Sequence, residues 1–212
     1  MNERIAFDQE IIANNSYLIG IDEAGRGPLA GPVVICGVKV SRDFLGQIDT
    51  FPFLSGVNDS KKLSSQRRET LFQQLLQLRK QQLLQFTVTM RDHKIIDQIN
   101  ILAATTCAMN QVVERFFSSQ TKVLVDGKSV QHFLFPHMGI IKGDCKSFSI
   151  AAASIIAKVI RDRIMNYFSK KYPQYGFEKH KGYGTRGHID AIKRHGLSPI
   201  HRATFCKHFI NS

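Results

Sequence analysis

Short apolar runs that stop at acidic residues recur along this chain. Tyr17–Asp22 (YLIGID) reads as a buried strand closed by a carboxylate. After the turn GRGPLAG, the β-branched run Val33–Val40 (VVICGVKV) predicts its hairpin partner. Ser41–Gly56 reads as loop. From Ser64, an N-cap type, Leu71, Leu75 and Leu78 recur at helical spacing and predict a helix to Gln82. Leu83–Met90 (LLQFTVTM) reads as a strand, and Asn100 caps a second helix to about Phe117. Lys122–Asp126 (KVLVD) is a fourth strand ending on an acid, and Gly139–Lys142 (GIIK) is a fifth. Gly143-Asp144 then precedes a long helix that starts near Lys146 and runs to about Lys170, in which Ala151, Ala152, Ala153 and Ala157 allow close approach to a sheet. Pro173 ends that segment, and a basic helix Thr185–His195 stops at Gly196. A strand meander followed by alternating strands and helices predicts a mixed α/β sheet.

With 212 residues, 43% of them hydrophobic, the chain has material for a single domain with a core that needs no staples. That composition excludes a disordered, collagen-like or disulfide-scaffold chain. The longest apolar stretch, around Ser149–Ala157, contains serines and is flanked by lysines, so no membrane partner is expected. The acid-containing start MNERIAFDQE does not read as a signal peptide, and a cytoplasmic location is expected. Cys36, Cys107, Cys145 and Cys206 form no C-x-x-C pair, which speaks against zinc and for reduced thiols. The net charge of +12 is uneven: residues 158–212 hold twelve Lys or Arg against three Asp or Glu. A basic C-terminal quarter points to a polyanion, most simply nucleic acid, although a solvated basic face has the same composition.

The acids carry the candidate chemistry. Asp22 and Glu23 close the first strand, Asp126 closes the fourth, and Asp144 precedes the long helix. Sites in open α/β sheets form at the carboxyl ends of strands, so these residues are placed to converge. Gathered carboxylates repel and do not all stay ionised without cations, and hard ions such as Mg²⁺ or Mn²⁺ match oxygen ligands. Two such ions promote phosphodiester hydrolysis. Taken singly, each acid also reads as a turn or cap residue, Asp144 as an N-cap. Asp22 and Glu23, being adjacent, face opposite sides unless the strand ends or bends at Gly25. The segment Gly25–Gly31 is not a dinucleotide fingerprint, since its last glycine comes one place late. Gly127-Lys128-Ser129 is not a Walker loop, because Lys122 stands where the first glycine belongs. What remains is a tight glycine turn beside the acids, either a plain hairpin turn or a bare backbone that lets a nucleotide come close.

Taken together, GIDEAGRGPLAGPVV at Gly20–Val34, NDSKKLS at Asn58–Ser64, LVDGK at Leu124–Lys128, KGDCKSFSIAAASIIAKVIRDRIM at Lys142–Met165, HKGYGT at His180–Thr185 and PIHRATF at Pro199–Phe205 resemble bacterial ribonuclease HII, the type 2 ribonuclease H. The resemblance implies a ribonuclease H-like mixed five-stranded sheet flanked by helices, with a C-terminal helical extension. It divides the chain into a catalytic core over residues 1–170 and a basic helical segment over 171–212, packed as one structural domain. It implies metal-dependent cutting of the RNA strand of RNA/DNA hybrids and of single ribonucleotides in duplex DNA, serving ribonucleotide removal and RNA primer clearance. Asp22, Glu23, Asp126 and Asp144 match the four active-site carboxylates, which would hold Mg²⁺ or Mn²⁺, two ions during catalysis. Gly25, Arg26 and Gly27 match a loop that reads the ribose 2′-OH, Tyr183 matches a tyrosine on that ribose, and Lys61 matches a lysine on a nearby phosphate. Lys128 stands where many members have Asn, and Ala203 where Ser or another residue often sits, positions that bear on rate or preference. The related ribonuclease HIII carries an extra N-terminal domain and Lys for Arg in the glycine loop, so GRG favours HII.

On this reading the water attacks phosphorus on the 5′ side of a ribonucleotide, leaving 3′-OH and 5′-phosphate, with the 2′-OH a recognition handle. His180, His188, His195, His201 and His208 read as surface or structural histidines, with His180 able to assist near the site. Arg161, Asp162 and Arg163 read as helix-surface pairs. A non-catalytic RNA-binding module would explain the charge but not the acids, and a resolvase or transposase core would share the acids but not the GRG loop. A monomer is expected.

Overall fold

The structure, a computed structural model, describes residues 3–57, 60 and 63–210. Its sheet runs in the order β3-β2-β1-β4-β5. β1 (Tyr17–Ala24), β2 (Val33–Ser41) and β3 (Leu84–Arg91) form an antiparallel meander. β4 (Thr121–Asp126) lies parallel to β1 on its other edge, and β5 (Met138–Ile140) lies parallel to β4. β1 is therefore the strand at which the sheet changes from antiparallel to parallel, the place where connections diverge and leave a crevice.

Alternation along the strands fills both faces. Leu18, Val34, Cys36, Val38 and Leu124 pack with the helix α7 (Phe148–Lys171), while Ile19, Ile21, Val33, Ile35, Val123 and Val125 pack with α5 (Ile101–Glu114). Each fully buried aliphatic side chain contributes ~1.5–3 kcal/mol. Covering both faces explains why these strands read as continuous apolar runs. The start of α7 is pressed onto β1: a Cβ at Gly20 would lie 2.4 Å from the Ile150 nitrogen, so only glycine allows that approach.

Most elements fall where the sequence puts them, with instructive exceptions. α3 (Ser65–Lys80) starts at its Ser64 cap, whose hydroxyl accepts from the Arg67 amide, but ends early because Gln82 turns left-handed at φ 60°. Asn100 caps α5 through the Ala103 amide. Lys142, at φ 57°, ends β5 sooner than the run GIIK suggests. The long helix expected from near Lys146 is α7, and a separate short turn, α6 (Gly143–Lys146), precedes it with Ser147 extended between the two. The loop expected over Ser41–Gly56 contains α2 (Arg42–Gln47) and two 3₁₀ turns. Further helices not anticipated are α1 (Glu3–Ile12), α4 (His93–Ile99), α10 (Ala203–Ile210) and the short α8 (Phe177–His180). α8 and α9 (Arg186–His195) complete the C-terminal segment. That segment has its own small core, in which Tyr175, Phe177, Ile192, Ile200 and Cys206 pack on Leu29, Ala30 and Met165. It thereby rests on the glycine turn and on α7. No described helix is long and apolar enough to cross a membrane.

Candidate active site

The register of β1 on β4 pairs Ile21 with Val125, so Asp22 and Asp126 follow side by side at the ends of neighbouring parallel strands. Alternation puts both on the α7 face. Asp22 is 6% exposed. Burial pushes its carboxyl well above the usual range, and the neighbouring charges of Glu23 and Asp126 push the same way. The Ser154 hydroxyl on α7 and the Glu23 amide, at 2.7 Å, bond to this carboxylate and oppose the rise. Asp126 Oδ1 accepts the Gly143 amide at 2.6 Å, which fastens the end of β4 to the start of α6. Asp144, also nearly buried, is the next residue.

Glu23 points to the opposite face, because β1 continues regularly through Ala24 in its pairing with β2. The expected bend at Gly25 is not needed to bring it into play. Pairing with β4 stops at Ile21–Val125, so the last residues of β1 border an open edge. There Glu23 lines two adjoining cavities. One, of about 190 Å³, is bounded by Asp22, Gly25–Gly27, Ser154 and Tyr183. The other, of about 440 Å³, also takes in Asp126 and Lys128, and Arg26 borders both. The result is a trough across the carboxyl end of the sheet.

Two arginines hold the glycine turn from behind. Arg161, expected on the helix surface, is 1% exposed, and it donates from Nε to the Pro32 carbonyl at 3.0 Å and from Nη2 to that of Ala30 at 3.2 Å. Asp162 and Arg163 do form surface pairs, with Lys158 and Glu69. Arg202 donates to the carbonyls of Gly25, Arg26 and Gly31 at 2.6, 2.8 and 2.9 Å. All peptides here are trans, so a carbonyl turned back onto Arg202 turns the following N–H the opposite way. The amides of Arg26 and Gly27 therefore face away from the buried guanidinium. Gly25 itself, at φ +101°, leaves no room for a Cβ, which would sit 2.0 Å from Arg161 Nε.

Tyr183 is 45% exposed. Its backbone is fixed by the Tyr183 amide on the His180 carbonyl at 2.9 Å and by His188 Nδ1 on the Tyr183 carbonyl, also at 2.9 Å. His180, His188 and His201 are thus structural, as expected, and burial lowers the pKa of each, the latter two to about 4. Lys61 lies outside the described residues.

The donor set is carboxylate oxygen throughout, which fits hard cations and not zinc. Among the described residues, no three His, Cys, Asp or Glu side chains stand close enough to enclose an ion. Burial is the main cause of the rise at Asp22, and a cation held by these carboxylates would offset the smaller part that comes from Glu23 and Asp126.

A family model described as ribonuclease HII matches residues 19–208. The chain belongs to the ribonuclease HII family. A ribonuclease HII of Ruminiclostridium cellulolyticum is 43% identical to it over 99% of this chain and 78% of the relative. That of Endomicrobium trichonymphae is 47% identical over 94% of this chain and 90% of the relative. Among solved structures, the ribonuclease H2 of Pyrococcus horikoshii OT3 superposes with a TM-score of 0.72 at 26% identity, covering 92% of this chain and 97% of the other. Membership of the ribonuclease HII family makes the chain a ribonuclease H endonuclease, with activity on RNA/DNA hybrids. Sequence reasoning missed Arg202, Arg161 and Ser154: the two arginines hold the glycine turn from behind, and Ser154 lines the cavity beside Asp22. Their signal was their position inside the long motifs at Lys142–Met165 and Pro199–Phe205.

Proposed function

We propose that this chain is a divalent-metal-dependent endonuclease that cuts RNA paired with DNA and also cuts 5′ of a single ribonucleotide in duplex DNA, leaving 3′-OH and 5′-phosphate ends. The observation that carries the reading is one trough in which the Asp22–Asp126 pair adjoins a glycine turn pinned by Arg202 and faced by Tyr183. Asp22, Glu23, Asp126 and Asp144 would hold Mg²⁺ or Mn²⁺. When bound, such ions lower the pKa of water and offset the charge that builds on the phosphate and leaving oxygen.

The chain's own residues do the rest. The amides of Arg26 and Gly27, directed away from Arg202, offer donors to a 2′-OH oxygen, the group that distinguishes RNA from DNA. A deoxyribose leaves them unpaired, at a cost of ~1–3 kcal/mol each. Tyr183 presents its ring to the sugar and fixes the register of the scissile bond. Lys61 contacts a phosphate beside the cut. The basic segment 171–212 works as one unit with the core of residues 1–170 and holds the duplex through its phosphates, so affinity falls with salt. The enzyme acts as a cytoplasmic monomer in ribonucleotide removal and primer clearance.

The test is an end-labelled DNA duplex containing one ribonucleotide, incubated with Mg²⁺, with Mn²⁺ or with chelator. A single metal-dependent cut 5′ of the ribose is expected, with an all-DNA control left intact. Binding without cutting in either metal, or cutting of all-DNA junctions, overturns the proposal.

A further inference from the structure

The first helix, α1, precedes the span matched by the family model. It carries Asp8, which is fully buried. Asp8 Oδ2 accepts the Ser149 amide at 2.7 Å, and the hydroxyls of Ser147 and Ser149 bond to the same carboxylate. Those hydroxyls lie 3.0 Å apart, and that of Ser147 also accepts the Ile150 amide at 3.2 Å, capping α7. Asp8 Oδ1 is buried with no hydrogen-bond partner. A buried carboxylate left half satisfied is costly and calls for an explanation. The N-terminus of α7, whose dipole favours a negative group, supplies part of it.

The rest lies in what Asp8 grips. Between Lys142, left-handed, and Ser147, extended, lies only the single turn α6, too short to hold its course by its own bonds. At its front, the Gly143 amide is held by Asp126 at 2.6 Å. In its middle, the Ser147 amide returns to the Gly143 carbonyl at 2.8 Å. At its back, Ser147 and Ser149 are held by Asp8. Asp144 lies between these two carboxylate anchors.

We propose that Asp8 is a positioning residue of this nuclease, fixing the Ser147 joint between α6 and α7 and so setting where Asp144 stands relative to Asp126. The inference rests on the reading of Asp144 as a working acid, and extends the machinery to a helix outside the family match. Asp8 touches neither substrate nor reacting atoms.

The experiment compares D8A, D8N and D144N with wild type on the single-ribonucleotide duplex, measuring kcat, KM and amide hydrogen exchange. In D8A, kcat should fall by about tenfold or more, since small misplacements at a site cost that much. KM should hold within about twofold, and D8N, which keeps an acceptor for Ser149, should recover most of the loss. Exchange should quicken over residues 143–150 while β1 and β2 stay protected. Wild-type kcat and exchange in folded D8A, or loosening spread over the whole sheet, overturn the proposal. If D8A does not fold, S147A, which removes the hydroxyl joining Asp8 to the α7 cap, decides: lower kcat with faster exchange over residues 143–150 supports the role, and wild-type values for both remove it. Wild-type turnover in D144N would instead strike the underlying reading of Asp144, whatever Asp8 does.

Discussion

Arg202 Nη2 lies 2.6 Å from the carbonyl oxygen of Gly25, and its Nη1 lies 2.8 Å from that of Arg26, so one buried guanidinium fixes the turn that borders the acids. Burial, and then the nearby charge of Arg161, lowers its pKa to about 9, which leaves it charged at neutral pH. Removing it orphans several buried carbonyls at ~1–3 kcal/mol each. R202A should therefore lose about 3 kcal/mol or more in urea unfolding, and R202K, without the planar fork, should recover less than half. An R202A midpoint equal to wild type would show that the turn holds itself.

Gly25 and Gly27 separate folding from recognition. A Cβ at Gly25 would meet Arg161 at 2.0 Å on a backbone at φ +101°, whereas one at Gly27 would meet nothing within 4 Å. G25A should destabilise the protein by about 1–3 kcal/mol, as strained backbone substitutions do. G27A should melt as wild type yet cut the single-ribonucleotide duplex about tenfold more slowly, a loss of ~1.4 kcal/mol of recognition. Unchanged cleavage by G27A would remove the turn from ribose reading.

How far the sequence discloses this site depends on what each residue does. Asp22 and Asp126 could be located because strands ending on acids are a local pattern, and a parallel register then aligns them. Glu23 was expected to need a bend, but an edge left open by the shorter β4 serves instead, and strand lengths of neighbours are not local information. Arg161 and Arg202 were misjudged or missed because a basic residue is expected at the surface. Only the fold shows that backbone carbonyls await them. The short helix α6 was hidden for a related reason: Ser147, which ends it and caps α7 through the Ile150 amide, is tied to Asp8 from far along the chain. α1 and α10 are short amphipathic pieces whose helicity comes from docking more than from propensity.

Tyr183 offers its ring at the trough while its backbone is fixed by His180 and His188. Because the side chain is half exposed, Y183A should leave the melting midpoint unchanged. Ring contacts to a nucleotide are worth ~1–3 kcal/mol, so cleavage at a single ribonucleotide should fall about tenfold or more. A uniform hybrid, with many equivalent registers, should lose less. Y183F should keep most activity if the ring dominates. Equal losses on the two substrates for Y183A would count against a role in setting register.

The pair His188 and His201 predicts how stability responds to acid. Their Nε2 atoms lie 3.0 Å apart, His188 Nδ1 lies 2.9 Å from the Tyr183 carbonyl, and the Ser198 amide donates to His201 Nδ1 at 2.8 Å. Only neutral rings satisfy all three contacts: His188 donates through Nδ1, and His201 donates through Nε2 to His188. A further proton on either ring sets two N–H groups against each other. Burial accordingly holds both at about 4, below the free value near 6.5. Between those values the unfolded chain binds more protons than the folded one, so their contribution is complete above about pH 6.5 and is lost as pH falls toward 4. The slope approaches about 1.4 kcal/mol per pH unit for each excess proton. Asp8 works in the other direction: burial raises it to about 6, so the folded state gains from its protonation below that pH. His180 adds to the loss and the raised carboxyl of Asp22 to the gain, so three histidines stand against two aspartates and leave a net loss. The melting midpoint should thus drop between pH 7 and pH 5, more steeply in D8N and less steeply in H201Q. An H201Q profile as steep as wild type would place the acid sensitivity elsewhere.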